Sequence, residues 1–301
     1  MSLVSRLLDP TLVEHLNHMQ VSARSVVQGS TIGQHRSPVK GASVEFRQHR
    51  FYVPGDEPRR LDWRVLARTD RPYVKEYDEE TNLRCVIALD TSGSMAYEGQ
   101  HGSKFDYATR LAAALSYLML SQAESVGIAI CGQETGPFVV PHSSTHQLAR
   151  IIDALEMAAP AGPSGIARAI HDIADQMERR SLVIVLSDFF LPIEDLRKGL
   201  AHLRHERHEV LAIQVVDRHE EEFPFQTWCR FRGLEGETPR VIEPAMARRV
   251  YLEGFRRHRR LLLEAALGLR VEFQEIVTDR PLLDGIRLVL SRHNQRQAHQ
   301  K

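Results

Sequence analysis

The chain has 301 residues, enough for two average domains or for one large α/β domain with an appendage. Its 43% apolar and 26% charged residues exclude a disordered tail and a collagen-like fibre. Lys plus Arg and Asp plus Glu each number 39, so the formal net charge is zero and no overall electrostatic drive toward nucleic acid or anionic lipid exists.

The first segment, MSLVSRLLDPTLVEHLNHM, has too short an apolar run before Asp9-Pro10 to act as a signal sequence. No run approaches the roughly 20 apolar residues that span a bilayer, so direct membrane insertion is not expected. The three cysteines, Cys85, Cys131 and Cys229, are widely spaced and form no CxxC pair, which suits a reducing compartment. The expected location is cytoplasmic.

In chain order, a helix is expected near Leu12–Met19, then a Gly/Ser-rich stretch, GSTIGQHRSPVKG, then an aromatic and charged segment reaching residue 80. Residues 1–80 thus read as a small lobe of helix, strands and turns. From Leu83 onward, apolar runs alternate with amphipathic stretches, the pattern of a mostly parallel sheet covered by helices. The expected strands are CVIALD ending at Asp90, VGIAIC from Val126, LVIVLSD ending at Asp188, VLAIQVVD ending at Asp217, and RVEFQEIV from Arg270. Helices are expected from Ser103, where Asp106 completes a capping-box spacing, and over Gln147–Met157, Gly165–Arg179, Ile193–Arg207, Pro244–Leu267 and Pro281–Arg292. The stretch 220–243, with Trp228, Phe231 and a GLEGETP turn, reads as an inserted hairpin. The division is therefore 1–80 for the lobe, 81–295 for a doubly wound α/β domain and 296–301 for a disordered tail.

The most informative residues follow the first strand. Asp90, Ser92 and Ser94 form a DxSxS pattern in a strand-to-helix loop, where one carboxylate and two hydroxyls can face one point. A hard cation such as Mg²⁺ takes oxygen ligands and keeps several waters, so this donor set suits it better than a soft metal. An ion held by one loop would bind weakly, and doubly wound sheets gather ligands at the carboxyl ends of neighbouring strands. Asp188 ends the LVIVLSD run, and Ser164 lies in the PAGPSG loop just before a helix. Taken alone, Asp and Ser after a strand are more often a simple helix cap.

These residues resemble the metal-ion-dependent adhesion site of von Willebrand factor A domains. The resemblance implies an Mg²⁺ or Mn²⁺ site built from Asp90, Ser92, Ser94, Ser164 and Asp188. Where that family commonly has Thr-Asp, this chain has Ser164-Gly165, which keeps the hydroxyl and lacks the second carboxylate.

The likeness continues outside the A domain. Arg50-Phe51-Tyr52-Val53-Pro54-Gly55-Asp56, Arg60-Leu61-Asp62-Trp63 and Ala67-Arg68 resemble the RxYxPGD and DWxxxAR signature of a bacterial family of unknown function. The YxxxFxxH run from Tyr251 to His258 and the step Thr278-Asp279 belong to the same likeness. It implies an A-like domain behind the signature and a gene neighbourhood shared with MoxR-type AAA+ ATPases. The signature itself reads as turn chemistry and ion pairs around Trp63, fastening the lobe to the sheet or docking a partner.

Weaker signals carry less. His202, His205 and His208 recur at spacing three beside charged residues, as a solvated turn would. Arg256, Arg257, Arg259 and Arg260 flank His258 in a basic run of the kind that is usually a solvated helix face, with nucleic-acid contact the lesser reading at zero net charge. Lys104 sits in a segment that departs from a phosphate loop, and Ser92 stands where a phosphatase of the haloacid-dehalogenase type has a second Asp. The expectation is therefore a non-enzymatic interaction module in which a partner's Asp or Glu completes the metal shell, the partner being a MoxR-type ATPase or its client. An Mg²⁺-dependent phosphatase using Asp90 and a basic-patch nucleic-acid binder are the alternatives.

Overall fold

The computed structural model describes residues 7–19, 44–52, 62–69, 71–79 and 83–298. The signature residues Val53 to Leu61 and the 299–301 end lie outside them.

Helix α1 (Pro10–Asn17) starts at Asp9, whose carboxylate accepts the Thr11 amide at 2.9 Å, with Pro10 in the first turn. Strands β1 (Val44–Phe51) and β2 (Tyr73–Glu79) pair antiparallel in a separate two-stranded ribbon flanking helix α2 (Trp63–Thr69). Then come β3 (Arg84–Asp90), a 3₁₀ turn at Gly93–Ala96, a short ribbon of β4 (Glu98–Gly99) and β5 (Gly102–Ser103), and helix α3 (Lys104–Ser121). Ser103 caps α3 by accepting the Asp106 amide at 3.0 Å, as the sequence suggested. Strands β6 (Ser125–Cys131) and β7 (Thr135–His142) are followed by helices α4 (Gln147–Met157) and α5 (Ile166–Gln176). The remainder is β8 (Leu182–Ser187), α6 (Ile193–His205), β9 (Glu209–Val216), α7 (Arg218–Glu222), β10 (Cys229–Phe231), β11 (Arg240–Ile242), α8 (Pro244–Gly268), β12 (Glu272–Val277) and α9 (Leu282–Ala298).

The main sheet has the order β12-β9-β8-β3-β6-β7, parallel throughout except for the edge strand β7. All five expected strands are present within it. β7 was not expected: TGPFVVPH carries Gly136 and two prolines, which break up a strand pattern. An edge tolerates proline because one side of the strand needs no ladder hydrogen bonds. Gln147, fully buried, closes that edge by donating to the carbonyls of Val126 at 2.7 Å and Val140 at 2.9 Å.

The central strand β3 is buried on both faces. Cys85, Ile87 and Leu89 enter one core with Leu111, Leu115 and Leu118 of α3; Val86 and Ala88 enter the other with Ile166, Ile170 and Leu200. Period-two alternation across two covered faces produces the continuous apolar run seen in the sequence. Helix α1 joins the first core: Leu16 is buried in it, and Tyr117 donates to Asn17 at 2.8 Å. After β3 the chain adds strands on one side (β6, β7) and then crosses to the other (β8, β9, β12), so the carboxyl ends of the parallel neighbours β3 and β8 open the crevice where doubly wound sheets bind ligands. Among the described residues, no helix is long and apolar enough to cross a membrane.

Candidate functional site

Asp90 ends β3 at that crevice with no solvent exposure. Its Oδ1 accepts the Ser92 amide at 2.9 Å, which bends the chain out of the strand. Its Oδ2 accepts two hydroxyls, Ser187 at 2.5 Å and Ser164 at 3.1 Å. Ser92 Oγ and Ser94 Oγ lie 3.1 Å apart. Of the five expected residues, Ser92 and Ser164 thus contact the Asp90 carboxylate directly, and Ser94 joins them through Ser92 rather than on the carboxylate itself. Ser187, at the end of β8, is an additional member. Its signal was a hydroxyl closing a wholly apolar run, overshadowed by the neighbouring Asp188.

Backbone pairing holds the loops together. The Gly93 amide donates to the Gly162 carbonyl at 2.7 Å, and the Ala161 amide to the Thr91 carbonyl at 2.9 Å. Ser164 reaches Asp90 because the next residue, Gly165, lets two loops touch: a Cβ there would stand 1.8 Å from the Gly132 carbonyl oxygen. The Gly165 that departs from the Thr-Asp pattern thus has a steric reason.

Asp188 is placed differently. Its Oδ1 accepts the Phe190 amide at 3.2 Å, and its Oδ2 is ion-paired at 2.8 Å with Lys104, the first residue of α3. The same ammonium reaches Glu220 Oε1 at 2.7 Å and lies over the rings of Phe190 and Tyr97. Lys104 is fully buried. Burial alone would lower its pKa, but the carboxylates of Asp188 and Glu220 outweigh burial and hold the ammonium above the usual lysine value. Asp188 is consequently near Asp90 in charge but already carries a cation of the protein's own. Burial, and after it the charge of Asp188, pushes the Asp90 carboxyl up to about 6.

The other motifs converge on the same edge. In α8, His258 Nε2 lies 2.9 Å from the Phe189 carbonyl and its ring stacks on Phe190, Phe255 faces Phe190, and Tyr251 packs against Phe223 at 4.9 Å. The YxxxFxxH spacing places these three side chains along one helix face that steadies the turn after Asp188. Phe189 in that turn has φ 56°, a left-handed conformation stabilised by its burial and by the Ser187 hydroxyl accepting its amide at 2.8 Å. Thr278 donates to Asp217 at 3.1 Å, and Asp279 pairs with Arg218 at 2.6 Å, tying β12 to the end of β9. In the described part of the signature, Asp62 accepts the Val65 amide at 3.3 Å as the cap of α2, while Trp63 is 65% exposed.

The donors around Asp90 are carboxylate and hydroxyl oxygens, with Asp90 itself facing hydroxyl and amide groups while the Lys104 ammonium goes to Asp188 and Glu220. Oxygen-only donors and a buried anion left to neutral partners fit a hard dication. Among the described residues, no cluster of three or more His, Cys, Asp or Glu side chains is arranged to hold a metal, so such an ion would lean on serines. The three histidines singled out in the sequence do not meet: His202 pairs with His171 at 2.9 Å, His208 accepts the Ser181 amide, and His205 is exposed.

The doubly wound sheet with a DxSxS loop at its switch point defines a von Willebrand A-like α/β protein. The chain belongs to the family described as "Protein of unknown function DUF58", whose model matches residues 48–261. It is 30% identical over 291 residues to the uncharacterized protein Rv1480 of Mycobacterium tuberculosis, covering 94% of this chain and 90% of that one. The uncharacterized protein YeaD of Bacillus subtilis is 29% identical over 121 residues, covering 40% of this chain and 27% of that protein. Among solved structures, BatB from Bacteroides thetaiotaomicron is similar with a TM-score of 0.48 at 14% identity, covering 72% of this chain and all of that chain. An aerotolerance-related membrane protein from Bacteroides fragilis has a TM-score of 0.47 at 15% identity, covering 70% of this chain and 98% of that chain.

Proposed function

We propose that this protein is a non-enzymatic, divalent-metal-dependent interaction module that binds an acidic residue of a partner protein, working in the cytoplasm with a MoxR-type AAA+ ATPase or its client in assembly or maturation. The observation that carries the reading is the meeting of Asp90, Ser92, Ser94 and Ser164 at the switch point of the sheet. Charge balance supports it. Lys104 pairs with Asp188 and Glu220 and not with Asp90, whose buried carboxylate faces only hydroxyl and amide groups and so is left for a cation to neutralise.

In this reading Asp90 and the hydroxyls of Ser92, Ser94 and Ser164 hold Mg²⁺ or Mn²⁺, with Ser187 orienting Asp90 and Asp188 kept in the outer sphere by Lys104. A metal with so few charged ligands stays electrophilic and accepts a partner's carboxylate in place of water. The phosphatase alternative lacks a second acid two residues after Asp90, where Ser92 stands. The nucleic-acid alternative is weakened by Arg259, which is occupied by Glu221 at 3.2 Å and Glu275 at 2.5 Å.

The test is binding of a purified MoxR-type ATPase from the same organism to immobilised wild type and Asp90→Asn, in Mg²⁺ and in chelator. Binding present only with wild type and metal is expected. Equal binding in chelator would overturn the metal requirement, and no binding in any condition would remove the ATPase as partner.

A further inference from the structure

The hairpin of β10 and β11 leaves the main domain after α7, and the loop joining its strands returns to the DxSxS turn. The strand end from which this loop departs is anchored: Phe231, paired with Arg240, stacks on Phe223 at 5.8 Å and meets Phe225 edge-on at 5.3 Å. The tip of the loop sits on Gly93, where a Cβ would stand 2.1 Å from the Leu234 carbonyl oxygen. Gly93 is therefore a contact glycine as well as a turn glycine, and its place between the two serines of the DxSxS motif accommodates this loop.

That contact delivers a carboxylate. The Ser94 amide donates to Glu235 Oε1 at 3.4 Å, across 141 residues of sequence. The loop is shaped for it: the Glu235 amide donates to Glu237 Oε2 at 3.0 Å, and Gly236, with φ +100°, turns the chain away immediately afterwards. One carboxylate oxygen of Glu235 is thus on the amide of the same residue whose hydroxyl, 3.1 Å from that of Ser92, belongs to the candidate metal set. Glu235 thus brings a carboxylate to the backbone of Ser94, and carboxylate oxygen is what a hard dication takes in place of water.

We propose that Glu235 is a ligand supplied by the chain itself, occupying the coordination position that a partner's acidic residue takes, so that partner binding requires the 232–237 loop to be displaced. The proposal rests on the metal reading above. The loop suits the role because its fixed aromatic base is separated from a tip held on the site by one long hydrogen bond and by the Leu234–Gly93 contact. A partner acid then competes with a tethered one, which raises the selectivity of the site for partners that also engage the hairpin.

Mn²⁺ alone, titrated into the full chain, tests this. Bound ion is read from the loss of the aquo-Mn²⁺ paramagnetic resonance signal and its hydration from water-proton relaxivity, for wild type, Glu235→Ala and Asp90→Asn. Glu235→Ala is expected to weaken Mn²⁺ binding about tenfold and to raise the relaxivity per bound ion, as one inner-sphere water replaces the carboxylate. Asp90→Asn is expected to abolish binding. Equal affinity and relaxivity in wild type and Glu235→Ala, with Asp90→Asn inactive, would overturn the role of Glu235 and leave the metal reading standing. Absence of Mn²⁺ binding by wild type at millimolar concentration would overturn both.

Discussion

Lys104 Nζ lies 2.8 Å from Asp188 Oδ2, at a place with essentially no solvent, and the two residues are 84 positions apart in the chain. The pair fastens the start of α3 to the end of β8, and Glu220 draws the start of α7 to the same ammonium. This makes the crevice edge a charged core, with hydrophobic layers beneath it and the DxSxS loop above.

Lys104→Met should therefore be strongly destabilising, by about 3–5 kcal/mol, because it strands two buried carboxylates without a cation. Adding Asp188→Asn and Glu220→Gln to it should restore most of the loss, since the amides carry no charge to desolvate. Urea unfolding of the three forms measures this, and a loss below about 1 kcal/mol in Lys104→Met would show that the ion pair does not hold the edge together.

Asp90→Asn keeps an oxygen for the Ser92 amide and turns its NH2 toward the Ser187 and Ser164 hydroxyls, which can accept from it, but removes the charge that a dication needs. The metal-free variant should unfold within about 1 kcal/mol of wild type. Wild type should melt at a higher temperature as Mg²⁺ or Mn²⁺ rises to millimolar levels, and the variant should not. No metal-dependent shift in wild type would count directly against the metal reading.

Gly165→Ala should push the Ser164 loop away from Gly132, because the added methyl group meets a backbone carbonyl that cannot swing aside. The expected cost is about 1–3 kcal/mol, together with weaker metal binding as the Ser164 hydroxyl leaves Asp90. Calorimetry with and without Mg²⁺ separates the two effects.

His208 is buried, and burial holds its pKa below the usual histidine value, while its Nδ1 accepts the Ser181 amide at 3.2 Å. The folded protein thus resists a proton that the unfolded chain accepts near pH 6.5. Stability from this group is complete above that pH and falls as the pH drops through it. Denaturant unfolding between pH 7.5 and 5 should show a steeper loss for wild type than for His208→Gln; parallel curves would remove His208 from the acid response.

Much of the fold was legible because central parallel strands are buried on both faces, so CVIALD, VGIAIC and LVIVLSD declare themselves as apolar runs. β7 was not, since its prolines and Gly136 depend on an edge position that only the assembled sheet provides. The five metal candidates were legible as oxygen-bearing residues: Asp90 and Asp188 at strand ends, Ser92 and Ser94 in the loop after β3, and Ser164 just before a helix. The ion pair on Asp188 was not, because nothing local to Lys104 marks a lysine that will be buried.

The sequence by itself determined the five parallel strands of the main sheet, most of the helices, the DxSxS turn and the aromatic spacing of α8, all of which follow from periodicities and residue chemistry within a few positions. Only the tertiary structure decided that Ser187 joins Asp90, that Lys104 takes Asp188 and Glu220, and that Glu235 arrives over Gly93. Those contacts join residues roughly 80 to 140 positions apart, and they exist because sheet order and loop packing bring the chain back on itself. No local pattern encodes such a meeting.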